Sequence, residues 1–472
     1  MTKKNKTPSF SYSYELKIEK YQKDLIDKRL KVGKRLYNLM LKEAFKRQKN
    51  FHDYPLYRQF IIDKSYLELN QIKKLVGFTE YSFHKFMTQL RKPYSHLIDS
   101  FTAQKIASRA WKAISEYQYA KKGKPRFKKF IKSLEGKDNS MGIRFINGNL
   151  VWGKIKIEVK FNKKDEVEEY SLTKRVKYCR ILKKEIRGKQ RYYLQTILEG
   201  KALIKEKQKL GKEVVGLDLG PQTLAITTKK YASLRIFASE LDREIKGEKV
   251  LQKLIDKKKR QQNPENYNKK NQIKKSCKWN KSKKLIKNES KLRELKRKNK
   301  ERRKELHGRL INELLTLGVN FQIEKINYTQ WQKIFGKSIG AKAPGLFVQM
   351  LRRKAENAGG EVIEFDTYKT KLSQVCLCGR IRKKSLSERI HKCECGVEIQ
   401  RDILSSYLGI FVKKDKVNLE VARSYFKRFE QPYRYAFKEL LGLRSDERKT
   451  LGLLKSEIET QHIKRFKGTL VV

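Results

Sequence analysis

Apolar and polar residues alternate along 10–18, FSYSYELKI, with Phe10, Tyr12, Tyr14, Leu16 and Ile18 on one side. A period of two predicts a half-buried strand. From Lys20 the period lengthens, and Ile26, Leu30, Gly33, Tyr37, Met40 and Ala44 mark one face of an amphipathic helix. Helical text continues to Ala120 with breaks near Gly77 and Pro93, so 20–120 is predicted as an all-helical unit. The linker KKGKPRFKK at 121–129 ends it. Period two then returns, with hairpin signals at Asn147-Gly148 and Arg187-Gly188. Short, evenly spaced, hairpin-connected strands suggest a small barrel. The strand at 10–18 has no neighbour to pair with locally and is expected to complete that barrel. The helical unit then becomes an insertion between two barrel strands.

The second half changes character at 213–228, EVVGLDLGPQTLAITT. Val214 to Leu217 are mostly apolar, as in a strand buried on both faces. Asp218 interrupts the run, and a buried carboxylate is costly without a cationic neighbour. Gly220-Pro221 turns the chain into a second strand at 224–228 and a third at 231–238. An acid-bearing strand followed by a meander opens RNase H-like nuclease folds. An Asp-x-Gly turn after an apolar strand also opens actin-like ATPases, and a plain strand ending in a turn fits as well. Further on, 257–284 is dense in Lys and Arg around Tyr267 and Trp279, and 283–315 predicts a long charged helix. GVNFQIEKIN at 318–327 is another buried strand bearing one acid, Glu324. Pro344 opens a helix that stops at Gly359-Gly360, before a short strand at 361–365. Tyr425, Phe426, Phe429, Tyr433 and Phe437 lie at helical spacing in 413–472, as in a packing helix pair.

Composition narrows the partners. Lys and Arg number 114 against 51 acids, a formal charge of +63 over 472 residues. Self-repulsion on that scale opposes compaction, so a long polyanion, nucleic acid, is the expected partner. Basic segments with interleaved aromatics, 257–284 above all, fit the same partner. So do Lys121, Lys122, Lys124, Arg126, Lys128 and Lys129 of the linker. An anionic membrane is disfavoured: no lipidation motif, signal peptide or spanning apolar run is present. The expected compartment is the cytosol. With 22 Phe and 23 Tyr the chain can build true cores, and its length predicts several domains.

Six cysteines are too few for a disulfide scaffold. Cys179 and Cys277 stand alone and are expected to be inert. Cys376-Leu377-Cys378-Gly379 and Cys393-Glu394-Cys395-Gly396 form two pairs across a basic loop. Four thiolates can surround one Zn2+, and a Gly after each pair lets the backbone turn under the sulfurs. Both pairs are Cys-x-Cys, one residue shorter than the usual Cys-x-x-Cys. His391 is a possible substitute ligand, though a lone basic-loop His is expected at the surface. Asp402 begins a helix in QRDILSSYL, where an acid also suits the helix dipole. Taken with Asp218 and Glu324 it completes an ordered set of three carboxylates. Such a set can hold two Mg2+ about 3.5–4 Å apart for phosphodiester hydrolysis.

GLDLG, IEKIN, KLSQVCLCG and QRDILSSYL, in that order, resemble the TnpB family, transposon-encoded RNA-guided endonucleases related to the small type V CRISPR effectors. The likeness is clear over 212–412 and architectural before it. It implies a multidomain α+β protein: an RNase H-like RuvC core in two parts (206–369 and 399–415) and a zinc-ribbon insert binding target nucleic acid (370–398). It further implies a β-barrel wedge domain (1–19 and 121–205), a helical recognition insertion (20–120) and a C-terminal helical tail (416–472). The resemblance gives Asp218, Glu324 and Asp402 as the catalytic acids holding two Mg2+, and Cys376, Cys378, Cys393 and Cys395 as zinc ligands. It implies a guide RNA that pairs with double-stranded DNA beside a short adjacent motif, and one site that cuts both strands, in a chain expected to be monomeric. Two departures stand out: the shortened Cys pairs, and Ser405-Ser406-Tyr407 where the family has Asn-Ala-Ala. Two rivals remain, a cleavage-inactive guided DNA-binding protein and an unguided transposon nuclease or transposase.

Overall fold

The computed structural model describes residues 7–162, 164–274, 277–385 and 388–451. The chain divides into two compact units that part after Leu203. The first begins with β1 (Ser9–Leu16) and five helices: α1 (Lys20–His52), α2 (Tyr57–Ile62), α3 (Tyr66–Leu75), α4 (Glu80–Arg91) and α5 (Ser100–Gln118). Side chains start three of them. Glu19 and Gln22 form a capping box at α1, and Thr79 and Asp99 cap α4 and α5. The predicted stripe of α1 is buried at Ile26, Leu30, Tyr37, Met40 and Ala44, and Phe78, Phe83 and Trp111 interlock edge to face nearby.

Strands β2 (Ser133–Glu135), β3 (Arg144–Ile146), β4 (Asn149–Trp152) and β5 (Ile155–Lys160) follow, then α6 (Glu166–Leu172), β6 (Val176–Ile186) and β7 (Lys189–Glu199). They form one sheet in the order β2-β6-β7-β1-β5-β4-β3. The solitary N-terminal strand pairs antiparallel with β7 on one side and β5 on the other. Asn147, Gly148, Arg187 and Gly188 all have positive φ, the conformation that two-residue hairpins need. The sheet curls: Asn139 bonds both ways to the Phe145 backbone of β3 and accepts from the Cys179 thiol of β6. β2 and α6 carry no clear pattern in the sequence.

The second unit opens with β8 (Val214–Leu219), β9 (Thr223–Thr227) and β10 (Ala232–Ile236), followed by α7 (Asp242–Gln262) and α8 (Lys283–Leu317). Then come β11 (Asn320–Glu324), α9 (Tyr328–Phe335), α10 (Lys337–Lys342), α11 (Pro344–Asn357), β12 (Val362–Phe365) and α12 (Thr367–Thr370). The hairpin β13 (Ile390–Lys392) and β14 (Glu398–Gln400) leads into α13 (Arg401–Gly409). The hairpin β15 (Val412–Lys413) and β16 (Lys416–Val417), α14 (Leu419–Leu441) and α15 (Ser445–Thr450) close the described chain. The central sheet has the order β10-β9-β8-β11-β12, with the meander antiparallel and β8, β11 and β12 parallel.

Strand alternation divides its two faces. Val215, Leu217 and Leu219 of β8 and Phe321 and Ile323 of β11 pack with Ile311 and Leu314 of α8 and Phe347 and Leu351 of α11. The opposite face meets Ile403, Leu404 and Tyr407 of α13, backed by Phe429 and Tyr433 of α14. The even-numbered residues Gly216, Asp218, Gln322 and Glu324 therefore face α13.

Candidate active site and cysteine cluster

The site is built on Gly216. A Cβ there would run into the Ser406 carbonyl oxygen, so glycine lets α13 lie directly on β8. Asp218 is two residues along the strand on the same face, and Asp402 is one helical turn before Ser406. Backbone contact at one pair thus brings the two acids to the same end of the interface. The parallel register aligns Ile323 with Leu217, so Glu324 and Asp218 follow side by side. Gln322 fastens the other end, its side-chain amide donating to the Gly409 and Val412 carbonyls at and just beyond the end of α13, both at 3.1 Å. The small Ser405-Ser406 pair answers to the same close packing: both are buried, and Ser406 Oγ donates to the Ile403 carbonyl.

The three carboxylates act on one another. Burial, then the charges of Asp402 and Glu324, hold the Asp218 carboxyl well above the usual carboxylate range, against the opposing pull of Arg401 and Arg389. Burial and Asp402 push Glu324 up to about 7. A polyvalent cation relieves this kind of crowding. Asp402 already has cationic neighbours, Arg401 Nε 3.2 Å from Oδ1 and Arg389 Nη1 3.6 Å from Oδ2. The ligand oxygens of the three acids do not all lie within 4.8 Å of one another. Oxygen-only donors match the chemistry of Mg2+.

Supports for α13 come from parts of the chain with no motif of their own. The Gln400 side chain caps the helix by accepting from Ile403 N–H, and its own backbone N–H donates to Tyr433 Oη of α14. Tyr407 stacks on Phe429 at 4.2 Å and donates its hydroxyl to the Ala422 carbonyl. The C-terminal helix expected from its aromatic spacing therefore packs behind the acid-bearing helix. The part of the tail at 452–472 lies outside the described residues.

The four ribbon cysteines converge, and among the described residues theirs is the one cluster whose ligand atoms all lie within 4.8 Å. Sγ of Cys376 and Cys395 are 3.5 Å apart, and those of Cys378 and Cys393 3.6 Å. A tetrahedron with Zn–S bonds of about 2.3 Å has edges of about 3.8 Å, so the set fits zinc and is too wide for disulfides. The shortened spacing is accommodated symmetrically. In each pair the Gly N–H donates to the first Cys carbonyl at 3.0 Å, with Gly379 and Gly396 at φ 94° and 87°. Burial opposes ionisation of Cys393, but the Cys395 N–H and the neighbouring thiols bring its thiol down to about 7. His391 corrects the surface expectation. It is buried on β13, both ring nitrogens lack hydrogen-bond partners, and burial beside Lys384 and Arg382 pushes its pKa down to about 4. The cysteine cluster does not include it.

The basic strap 121–129 lies in the first unit. Lys121, Lys122, Lys124, Arg126, Lys128 and Lys129 are exposed, and the strap is pinned to α1 by paired bonds between Asn38 and the Lys128 backbone. Between α7 and α8, Asn263 and Asn266 bind the Asn280 and Lys278 backbone, tying the start of the basic segment to its end. Tyr267 and Trp279 pack edge to face there, flanked by Arg260 and Lys259, so each ring is partly spent on the fold. Cys179 is buried and its thiol is pushed up to about 12 by that burial, as expected for an inert residue. Among the described residues no helix is long and apolar enough to cross a membrane.

Residues 345–408 match the family model of the Cas12f1-like TNB domain. That span holds all four ribbon cysteines and Asp402. No curated protein matches the chain. Solved structures that overlay on it include a Cas12f1–sgRNA–target DNA complex, at 12% identity and a TM-score of 0.44, covering 86% of this chain and 98% of that one. A second is a CRISPR-Cas12f ternary complex, at 14% identity and a TM-score of 0.31, covering 83% and 85%.

Proposed function

We propose that this TnpB/type V effector-like protein is an RNA-guided DNA endonuclease with a single RuvC-type site formed by Asp218, Glu324 and Asp402. The observation that carries the reading is the convergence of three carboxylates, scattered in sequence from 218 to 402, on one face of one sheet. The TNB match over 345–408 and the charge of +63 support it from independent directions. On this reading the second unit is the RNase H-like core with its zinc-ribbon insert, and the curled sheet and helices of the first unit are the wedge and recognition domains. Base pairing by a guide RNA would select the target, while the protein holds the backbone and reads a short adjacent motif.

The three acids would hold two Mg2+, which when bound supply an activated water and charge stabilisation at the leaving oxygen. The chain's own contribution is placement and charge. Asp218 and Glu324 resist ionisation while close together, so cation binding and proton release go together at them. Cys376, Cys378, Cys393 and Cys395 would hold Zn2+ and so fix the loop between them beside Asp402. The test is plasmid cleavage by the full chain with its co-purifying RNA and Mg2+. Guided cutting that Asp218→Ala abolishes is expected; intact binding with no cutting by the native chain would instead mean a guided DNA-binding protein.

A further inference from the structure

Arg401 belongs to neither the acid set nor the cysteine cluster, yet it touches the surroundings of both. It is the first residue of α13 and only 8% exposed. A buried guanidinium is expensive unless its donors are satisfied. Its Nη1 donates to two carbonyls of the loop between the cysteine pairs, Ser385 at 3.1 Å and Glu388 at 3.0 Å. Its Nε donates to Asp402 Oδ1 at 3.2 Å, and its backbone N–H donates to the Arg389 carbonyl at 2.8 Å, where the loop enters β13. One rigid fork therefore joins the ribbon loop to the third acid.

The neighbouring cation is placed differently. Arg389 approaches the other oxygen, Oδ2, at 3.6 Å, and its side chain is 28% exposed. Arg401 is braced on three acceptors and takes Oδ1, whereas Arg389 is loosely held at Oδ2. An arriving cation can displace Arg389 from Oδ2 without disturbing Arg401. Lysine could supply the charge at 401, but a single ammonium on a flexible stem does not reproduce the planar fork.

We propose that Arg401 is a positioning residue that sets the orientation of Asp402 for divalent-cation binding and makes that orientation depend on the ribbon loop. The inference rests on the proposed role of the three acids. It differs from a purely structural role, in which Arg401 only fastens the loop and cation affinity is indifferent to it.

The test uses the full, zinc-loaded chain and Mn2+ alone, with bound Mn2+ followed by electron paramagnetic resonance. Arg401→Lys and Arg401→Gln are expected to weaken Mn2+ binding roughly 10-fold, the usual cost of losing a partner that orients a ligand. Zinc content and affinity for the co-purifying RNA are expected to stay unchanged. Native Mn2+ affinity in both variants, or tighter binding, overturns the inference. So does loss of zinc in both, which would make Arg401 a fastening residue. Asp218→Ala separates the two levels: if it leaves Mn2+ binding intact, the acid site itself is misassigned. If it removes binding while the Arg401 variants bind normally, only the role of Arg401 falls.

Discussion

Gly216 of β8 and Ser406 of α13 meet backbone to backbone, with no room for a side chain at 216. This close approach sets the depth at which the acid-bearing helix sits on the sheet. Asp218 and Asp402 face each other because each lies at a fixed offset from it, two residues along a strand and four along a helix.

Gly216→Ala should therefore lift α13 from β8. Overpacking of this kind costs about 1–3 kcal/mol, and the displaced helix should take cleavage with it. Gly247→Ala is the control, since nothing lies near a Cβ there and alanine favours the helix. Thermal melts and plasmid cleavage measured on both would show whether the close approach matters. Equal activity in the two variants contradicts the account of how the acids are brought together.

Asp218→Asn, Glu324→Gln and Asp402→Asn are each expected to abolish cleavage while RNA binding stays near native. Asp218→Asn should also raise the stability of the metal-free protein at neutral pH, because it removes one of three crowded carboxylates. A destabilised Asp218→Asn protein would mean that the charges there are not in conflict.

The pH dependence follows from Glu324, whose pKa rises from 4.5 unfolded to about 7 folded. A group that binds its proton more tightly when folded contributes stability that is complete below the unfolded pKa and is lost as pH rises through the folded one. Metal-free protein should lose that contribution between pH 4.5 and about 7, with the raised Asp218 acting in the same direction. Saturating Mg2+ should reduce the loss, and Glu324→Gln should flatten it. Melting curves across this range, with and without Mg2+, measure the effect; identical pH slopes in the two series count against a cation at these acids.

Cys393→Ser should lower bound zinc from one ion per chain and weaken target DNA binding more than RNA binding. Elemental analysis of the purified variant decides the first point, and unchanged zinc would refute the four-thiolate site. Chelation of the native chain should reproduce the phenotype, because zinc binding in such small sites is coupled to their folding.

Nucleic-acid binding should weaken steeply with salt as counterions are released. Replacing Lys121, Lys124 and Lys129 together by Gln should flatten the log–log slope by roughly one unit for each phosphate no longer neutralised. A titration of RNA affinity against salt compares the two chains, and an unchanged slope removes the exposed strap from the interface.

Periodicity and residue type alone determined much of this protein. The alternation at 10–18, the stripe of α1, the Asn147-Gly148 and Arg187-Gly188 turns, the acid-bearing strands and the two Cys-x-Cys-Gly pairs were legible because each depends on neighbours within a few residues. The tertiary structure decided what depends on distant ones. Strand β1 found β5 and β7 only through pairing across more than a hundred residues. His391 is buried through packing around β13, which a basic local sequence does not reveal. Gly216 looks like any strand glycine until Ser406 lies on it, and Arg401 looks like one more cation in a basic chain until its fork reaches Ser385, Glu388 and Asp402. A sequence specifies which groups are available, but the desolvation and mutual repulsion that raise Asp218 and Glu324 exist only once the sheet and α13 have brought the carboxylates together.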